Sequence, residues 1–595
     1  MKAELNIENA VLPLGATLLA QGVFFKVWAP NAQEVAVFGS FNDWNEDEYP
    51  LEKTENGEWQ LPVSTAKAGD EYKFIITDAA GNKLYKNDPR AKQMTNSVGN
   101  SVVFDPHFDW EGSEDFQTES LNNLVIYELH LGTFNKTTEQ VGDFYTAMEK
   151  LPYLKDLGIN AVEIMPVSEF PGDYSWGYNP ASPFAVESAY GGPVAFKEFV
   201  KAAHKTGIAV ILDVVYNHFG PSDMDIWQFD GWSENNLGGI YFYNDWKAST
   251  PWGDTRPDYG RGEVRQYIYD NALMWVSEFK VDGLRMDMVP YMRNVKADGN
   301  PGNALEDGKS LIQWINKSLG EQFPGTFVVA EDLHTLDDIT KDVDQGGFGY
   351  SSQWCAAFVH PVREVLTNIN DTDRDLKKIE NALLKRYNLD VFERVVYTES
   401  HDEVANGQAR LAEEIANGDV NNYFSRKRSL IAATLVLTSP GIPMLFQGQE
   451  LLEDGYFDDG DPIDWQNLKT YKGFTAFFRD LIHLRRNWEN KTRGLIAQNI
   501  EITHFNNTDK VLGYHRFDQK GVHDSVMVII NFANVAHENY EIVFPQEGNW
   551  QLCINADSNL YNKKNPNRDI DISYEGTKAN LFLPEYAILI FRMED

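Results

Sequence analysis

The chain has 595 residues, 52 of them basic and 89 acidic, for a formal charge of −37, and 43% are apolar. That length and apolar content can bury a large core over two or three domains, while so acidic a surface repels nucleic acid and anionic lipid and leaves a neutral partner untouched. No apolar stretch reaches the roughly 18–20 residues of a bilayer span, the start lacks the basic region of a secretion signal, and two distant cysteines, Cys355 and Cys553, offer neither a disulfide framework nor metal-ligand spacing; a cytoplasmic, globular protein is expected.

Residues 22–105 carry short alternating apolar runs separated by turns, such as "GVFFKVWAPNA", "EVAVFGSFNDW" and "EYKFIIT", which predict a small antiparallel β-sandwich. The acidic, aperiodic "FDWEGSEDFQTES" reads as a linker, so the first domain is set at 1–115. From about 121 the pattern changes to apolar runs alternating with amphipathic helical stretches, the signature of repeated βα units. The runs are "LVIYELHLG", "NAVEIMPV", "IAVILDVV", "VDGLRMDMV", "TFVVAED", "RVVYTESHD" and "IPMLFQGQE", with a weaker eighth near "GYSSQW". Eight strands over 116–495 predict a (β/α)8 TIM barrel. Between two of them, Ala195, Phe196, Phe199, Val200 and Ala203 share one helical face that ends at Gly207. An aromatic insertion at about 216–262 is too long for a turn and is expected to overhang one end of the barrel. Strand-like runs from 496 to 595, among them "SVMVIINF" and "YAILIFRM", predict a closing β-domain.

Five apolar runs end in polar clusters: "DVVYNH", "LRMD", "AED", "ESHD" and "QGQE". Strands of a closed parallel barrel are buried along their length, so such groups are tolerable only where the strand emerges, at the C-terminal rim that carries barrel active sites. Asp287, Glu331 and Asp402 should therefore meet Arg285, His218 and His401 at the mouth. Taken singly, an acid after a strand is usually a helix cap or a solvated turn, Arg285 with Asp287 can be a structural ion pair, and a lone histidine is usually satisfied in the core. Their joint occurrence at successive strand ends points instead to glycosidic chemistry, in which one carboxylate attacks the anomeric carbon and a second protonates the leaving oxygen. The adjacent guanidinium should favour the ionised nucleophile, and crowding by the other carboxylates should keep the acid protonated. A retaining pair should lie about 5–5.5 Å apart.

With "DVVYNH", "GLRMD", "VVAED" and "TESHD" in order, the chain resembles the α-amylase superfamily of retaining glycoside hydrolases and transglycosylases along nearly its whole length. The resemblance implies Asp287 as nucleophile, Glu331 as general acid/base and Asp402 as the carboxylate that grips sugar hydroxyls. It implies that Arg285 orients Asp287, and that Asp213, His218 and His401 line the same subsite. "SWGYNP" is similar to the segment that supplies an aromatic platform, so Tyr178 would stack on the sugar at the cleavage point, with core packing as the alternative. "VWAPNA" and "GSFNDWN" resemble the β-sandwich that precedes the barrel in branching and debranching enzymes, where Trp44 is either core or a glucan contact. Asn217 matches a position that binds structural calcium in many amylases, but no second ligand set accompanies it; no cofactor is required. Pro290 and Tyr291 depart from the acceptor-side pattern of typical amylases, so no role is assigned to them.

Within the superfamily the motifs divide. "ESHDEV", with Ser400 before the His-Asp pair, is similar to branching enzymes, whereas "IYELHLGTF", "DVVYNHFGP" and "MLFQGQE" look more like maltooligosyltrehalose trehalohydrolases. Weighting the fourth motif as a substrate contact implies transfer of an α-1,4-linked chain to a 6-hydroxyl, with hydrolysis as the alternative. The implied partner is a neutral α-glucan (glycogen, amylose or a maltooligosaccharide), acted on by a monomer or small oligomer with no nucleic acid or membrane involved. A non-catalytic glucan binder is disfavoured because all three carboxylates are present. A metal hydrolase is disfavoured because no closely spaced histidine pair such as HExxH occurs.

Overall fold

The computed structural model describes residues 12–136, 140–521, 523–561, 570 and 572–594. Its centre is a closed barrel of eight parallel strands: β1 Ile126–Leu129, β2 Ala161–Ile164, β3 Ala209–Val214, β4 Gly283–Met286, β5 Phe327–Ala330, β6 Ser352–Trp354, β7 Arg394–Val396 and β8 Ile442–Phe446, with β8 pairing back to β1. Every residue of these strands is buried, which is why they read as unbroken apolar runs and not as alternating ones. The weak eighth run, only three residues as β6, completes the closure. The helix read between the second and third strands spans Gly192–Thr206, ends on Gly207 at φ 80°, and buries Ala195, Phe196, Phe199, Val200 and Ala203 completely.

Two antiparallel sheets precede the barrel. One contains Val23–Trp28 and Glu58–Val63, the other Glu34–Gly39 and Glu71–Thr77, and they close over Phe25, Val37, Tyr72 and Phe74. Beyond the barrel, a five-stranded and a three-stranded antiparallel sheet pack over Ile529, Ile542, Leu581 and Phe591. The fold class is therefore the one the sequence predicts. The stretch between sandwich and barrel has little regular structure but is packed down, with Phe116 stacked on His204 at 4.3 Å.

Two connections build up the C-terminal rim. After β2, a short ribbon of Ser168–Glu169 and Ser182–Val186 carries the "SWGYNP" segment. After β3, the aromatic insertion has only two 3-10 turns, Gly239–Tyr241 and Trp246–Ala248, and is held by the N-terminal sandwich. Asn31 donates twice to Asp230 Oδ2 at 2.9 Å, Asn87 donates twice to Asp225 Oδ2 at 2.8 Å, and Trp28 packs edge-on to Tyr241 at 5.6 Å. The sandwich thus braces a wall of the mouth. No helix among the described residues is long and apolar enough to cross a membrane.

Candidate active site

Barrel register builds the site. Asp213 on β3 is the pairing partner of Arg285 on β4, so the two side chains leave the sheet on the same face, and Arg285 Nη1 lies 2.5 Å from Asp213 Oδ2. Met286 pairs with Ala330, so the residues that follow, Asp287 and Glu331, emerge side by side from adjacent strand ends. One fully buried guanidinium joins both: Arg285 Nη1 is 3.3 Å from Asp287 Oδ1 and Nη2 is 2.8 Å from Glu331 Oε2. Its planar face rests on Trp354 at 4.3 Å from the ring centroid. Met288, at φ 39° and ψ 52°, holds a left-handed conformation unusual for its side chain, and this turn aims its N–H at Glu331 Oε2, 2.8 Å away.

Burial is the first cause of every carboxyl shift here. It holds Asp287 well above the usual carboxylate range, with Glu331 adding to the rise and Arg285 opposing it; Glu331 is also raised, by burial first, with Arg285 opposing and Asp402 adding. The guanidinium therefore moderates the nucleophile position without returning it to an ordinary carboxylate. Desolvation outranks the crowding expected to protonate Glu331. Two buried carboxyls thus lean on one cation, and burial disfavours the charged form of each.

The remaining predicted residues surround this junction. Tyr178 donates to Asp213 Oδ2 at 2.5 Å and stacks on His401 at 4.9 Å. His401 is buried, with Nδ1 2.6 Å from Glu128 Oε1 and Nε2 3.5 Å from Asp402 Oδ2. Burial works against its charged form, but Asp402 and Glu128 prevail and lift it to about 9, so it is an imidazolium at neutral pH. Asp402 is the outward-facing carboxylate, its side chain 44% exposed, and it meets the junction through His401. Burial pushes His218 down to about 4, while its ring nitrogens meet Asn217 Oδ1 at 2.7 Å and the Tyr178 carbonyl at 2.8 Å. All eight predicted site residues thus lie at one rim.

Ser400 is fully buried and its hydroxyl accepts from Glu403 N at 3.3 Å, so the fourth motif reaches the open site through His401 and Asp402. Trp44 is 37% exposed, not core, and packs edge-on to Phe38 at 5.2 Å. The residues present do not suit calcium at Asn217: its amide donates to Asp287 Oδ2 at 2.6 Å and its carbonyl oxygen meets His218, so both ends are committed. Among the described residues no group of three or more His, Cys, Asp or Glu is arranged around a common metal position. Sequence reading missed Glu128 and Trp354, both inside strands, and Trp252, which stacks on His218 at 4.5 Å from the insertion. Glu128 had a signal, a lone acid in the middle of an apolar run; the tryptophans had none.

Known proteins share this architecture. Residues 13–91 match carbohydrate-binding module 48 (isoamylase N-terminal domain), 129–236 and 224–493 match the alpha amylase catalytic domain, and 502–594 match the alpha amylase C-terminal all-beta domain. The catalytic-domain match spans more than half the chain, and the chain belongs to the alpha-amylase family. Among its relatives is a 1,4-alpha-glucan branching enzyme of Oceanobacillus iheyensis, 31% identical over 90% of this chain and 86% of that protein. Another, from Pseudoalteromonas atlantica, carries the same name and is 32% identical over 90% of this chain and 76% of its own. In fold the chain is similar to a crystal structure of a putative alpha amylase from Salmonella typhimurium (TM-score 0.74, 22% identity, 98% of this chain and 99% of that one). It is also similar to a Bacillus subtilis pullulanase solved with maltose (TM-score 0.76, 21% identity, 99% and 86%).

Proposed function

We propose that the protein is a 1,4-α-glucan branching enzyme that acts by double displacement. The observation that carries the chemistry is the Asp287–Arg285–Glu331 junction: two buried carboxyls on one fixed cation at the rim of a barrel. An oxygen of Asp287 attacks C1 of the glucan and forms a C1–O bond as the C1–O4 bond breaks, while the proton of Glu331 passes to O4 of the departing chain. Glu331, now a carboxylate, then takes the proton from the 6-hydroxyl of an acceptor glucan, whose O6 bonds to C1 and displaces Asp287. Asn217 and Arg285 hold Asp287 in line by contacting its two oxygens. Asp402, together with the Nε2–H of His401, binds sugar hydroxyls, and Tyr178 offers the stacking face. Water in place of the acceptor gives hydrolysis through the same intermediate. Transfer is favoured here by the shared name of the relatives and by the walls that the insertion raises around the mouth.

A protein acting on cytoplasmic glucan as a monomer or small oligomer fits this reading, and the sandwich, with Trp44 on its surface, adds a second hold on long chains. Amylose is the test. Branching predicts loss of iodine staining with almost no new reducing ends and release of short chains on debranching. A rise in reducing ends that matches the loss of stain overturns it in favour of a hydrolase.

A further inference from the structure

Glu128 lies in the middle of the buried strand β1, where a charge is costly unless held by a partner. It is held twice by one residue: Oε1 lies 2.6 Å from His401 Nδ1 and Oε2 accepts from the His401 backbone N–H at 3.2 Å. The two residues are 273 positions apart. A bidentate grip on both ring and backbone fixes the position of His401 and the rotation of its imidazole about the side chain. With Nδ1–H given to Glu128, the second N–H can point only outward, toward Asp402 and the open mouth. Tyr178 closes the ring face at 4.9 Å, so the orientation of one imidazole is shared with the sugar platform.

From this geometry we infer that Glu128 is a positioning residue of the reaction, acting through His401 to aim its Nε2–H at the glucan unit being cleaved. The groups around that imidazole agree with the assignment. Glu128 and Asp402 attract its charge, while Arg285 opposes it from β4 and His130 lies within electrostatic reach. A natural control stands beside it in register on β2. Glu163 is equally buried, yet both its carboxyl oxygens lack a hydrogen-bond partner, and burial, then Glu128, hold it well above the usual carboxylate range. Of two adjacent acids in one barrel layer, only one grips a site residue.

The inference rests on the glycosidic reading only for its kinetic arm. In the full-length protein, Glu128→Gln keeps the shape and loses the charge; it is expected to lower kcat on amylose by about 10²-fold with a smaller change in KM, as a misplaced substrate contact does. Glu163→Gln is expected to leave kcat within about twofold, because the Glu163 carboxyl makes no hydrogen bond to a site residue. Glu128→Asp, which keeps the charge on a shorter arm, should recover part of the loss. Added to His401→Ala, Glu128→Gln should cost nothing further, since both act through one ring. Independently of activity, 15N NMR of the imidazole should show His401 doubly protonated at pH 7.5 in the wild type and in Glu163→Gln, and largely neutral in Glu128→Gln. Equal losses in Glu128→Gln and Glu163→Gln, additivity with His401→Ala, or an unchanged His401 spectrum would each overturn the assignment. If the wild type fails to cleave amylose, the functional reading falls, and the NMR arm still decides the positioning.

Discussion

The barrel mouth and the junction between the barrel and the C-terminal sheets each bury an arginine completely, and they do so in opposite ways. At the barrel mouth Arg285 faces Asp213, Asp287 and Glu331, and these carboxylates outweigh its burial and raise it well above its ordinary value. At the junction between the barrel and the C-terminal sheets, Arg516 faces only carbonyl oxygens, donating to Thr438 O and Ala497 O at 2.6 Å, Asn499 O at 3.1 Å and Leu495 O at 3.2 Å. With no anion to answer it, burial holds Arg516 well below its ordinary value. Arg394, the first residue of β7, is likewise bound to the carbonyls of Pro440, Ala382 and Leu383. A buried guanidinium on carbonyls stitches segments together; one on several carboxyls creates a place where a proton can move. Burial alone does not distinguish function from scaffold. The identity of the acceptors does.

The comparison can be broken most directly at the reacting group. Asp287→Asn should lower amylose cleavage by about 10⁴-fold or more, because a neutral amide cannot form the glycosyl ester, while thermal unfolding should show a folded protein. Activity retained in that variant would remove the mouth from the catalytic account. The two arginines should then separate. Arg285→Lys replaces a planar fork with a point charge and should cost about 10²–10³-fold in kcat/KM, since it can no longer touch three carboxyls at once. Arg516→Met should destabilise folding by about 1–3 kcal/mol through the carbonyls it leaves unpaired, yet leave kcat per folded molecule unchanged. Denaturant titration beside steady-state assay reads both, and a catalytic loss in Arg516→Met would erase the distinction.

A smaller effect should come from pH. His401 is held at about 9 in the folded protein, against an ordinary value of about 6.5. Its contribution to stability is therefore full below about pH 6.5 and is lost as the pH rises through about 9. The kcat/KM profile should fall along the same alkaline limb, and His401→Gln should flatten that limb while lowering the plateau. A limb that persists in His401→Gln belongs to another group. The mildest change is expected far from the mouth. Trp44→Ala removes a half-exposed ring from the N-terminal sandwich and should raise KM for glycogen severalfold while kcat on short maltooligosaccharides stays constant.

Strand ends were the most legible part of the site. Asp213, Arg285, Asp287 and Glu331 sit at or just past the ends of β3, β4 and β5, and a charge that closes a buried apolar run has few places to go except the rim. His218, His401 and Asp402 were legible as members of the polar clusters that close such runs, whereas Tyr178 was legible only through the resemblance of its motif, because it lies on a connection whose course no periodicity encodes. The partners of Asn217 and Ser400 were not legible, because the fold and not the neighbouring sequence supplies them: Asp287 and His218 for the first, the Glu403 backbone N–H for the second.

What the sequence determined by itself was the alternation of buried strand and amphipathic helix, hence the barrel, the flanking sheets and the rim as the place for charge, because burial and periodicity are local properties of a chain. What only tertiary structure decided was the pairing. Closure of β8 onto β1 and the register of β3, β4 and β5 bring Glu128 to His401, Asn217 to Asp287, and one guanidinium to both reacting carboxyls. Contacts between residues as much as 273 positions apart depend on how the sheet closes, and no local window of sequence records that closure.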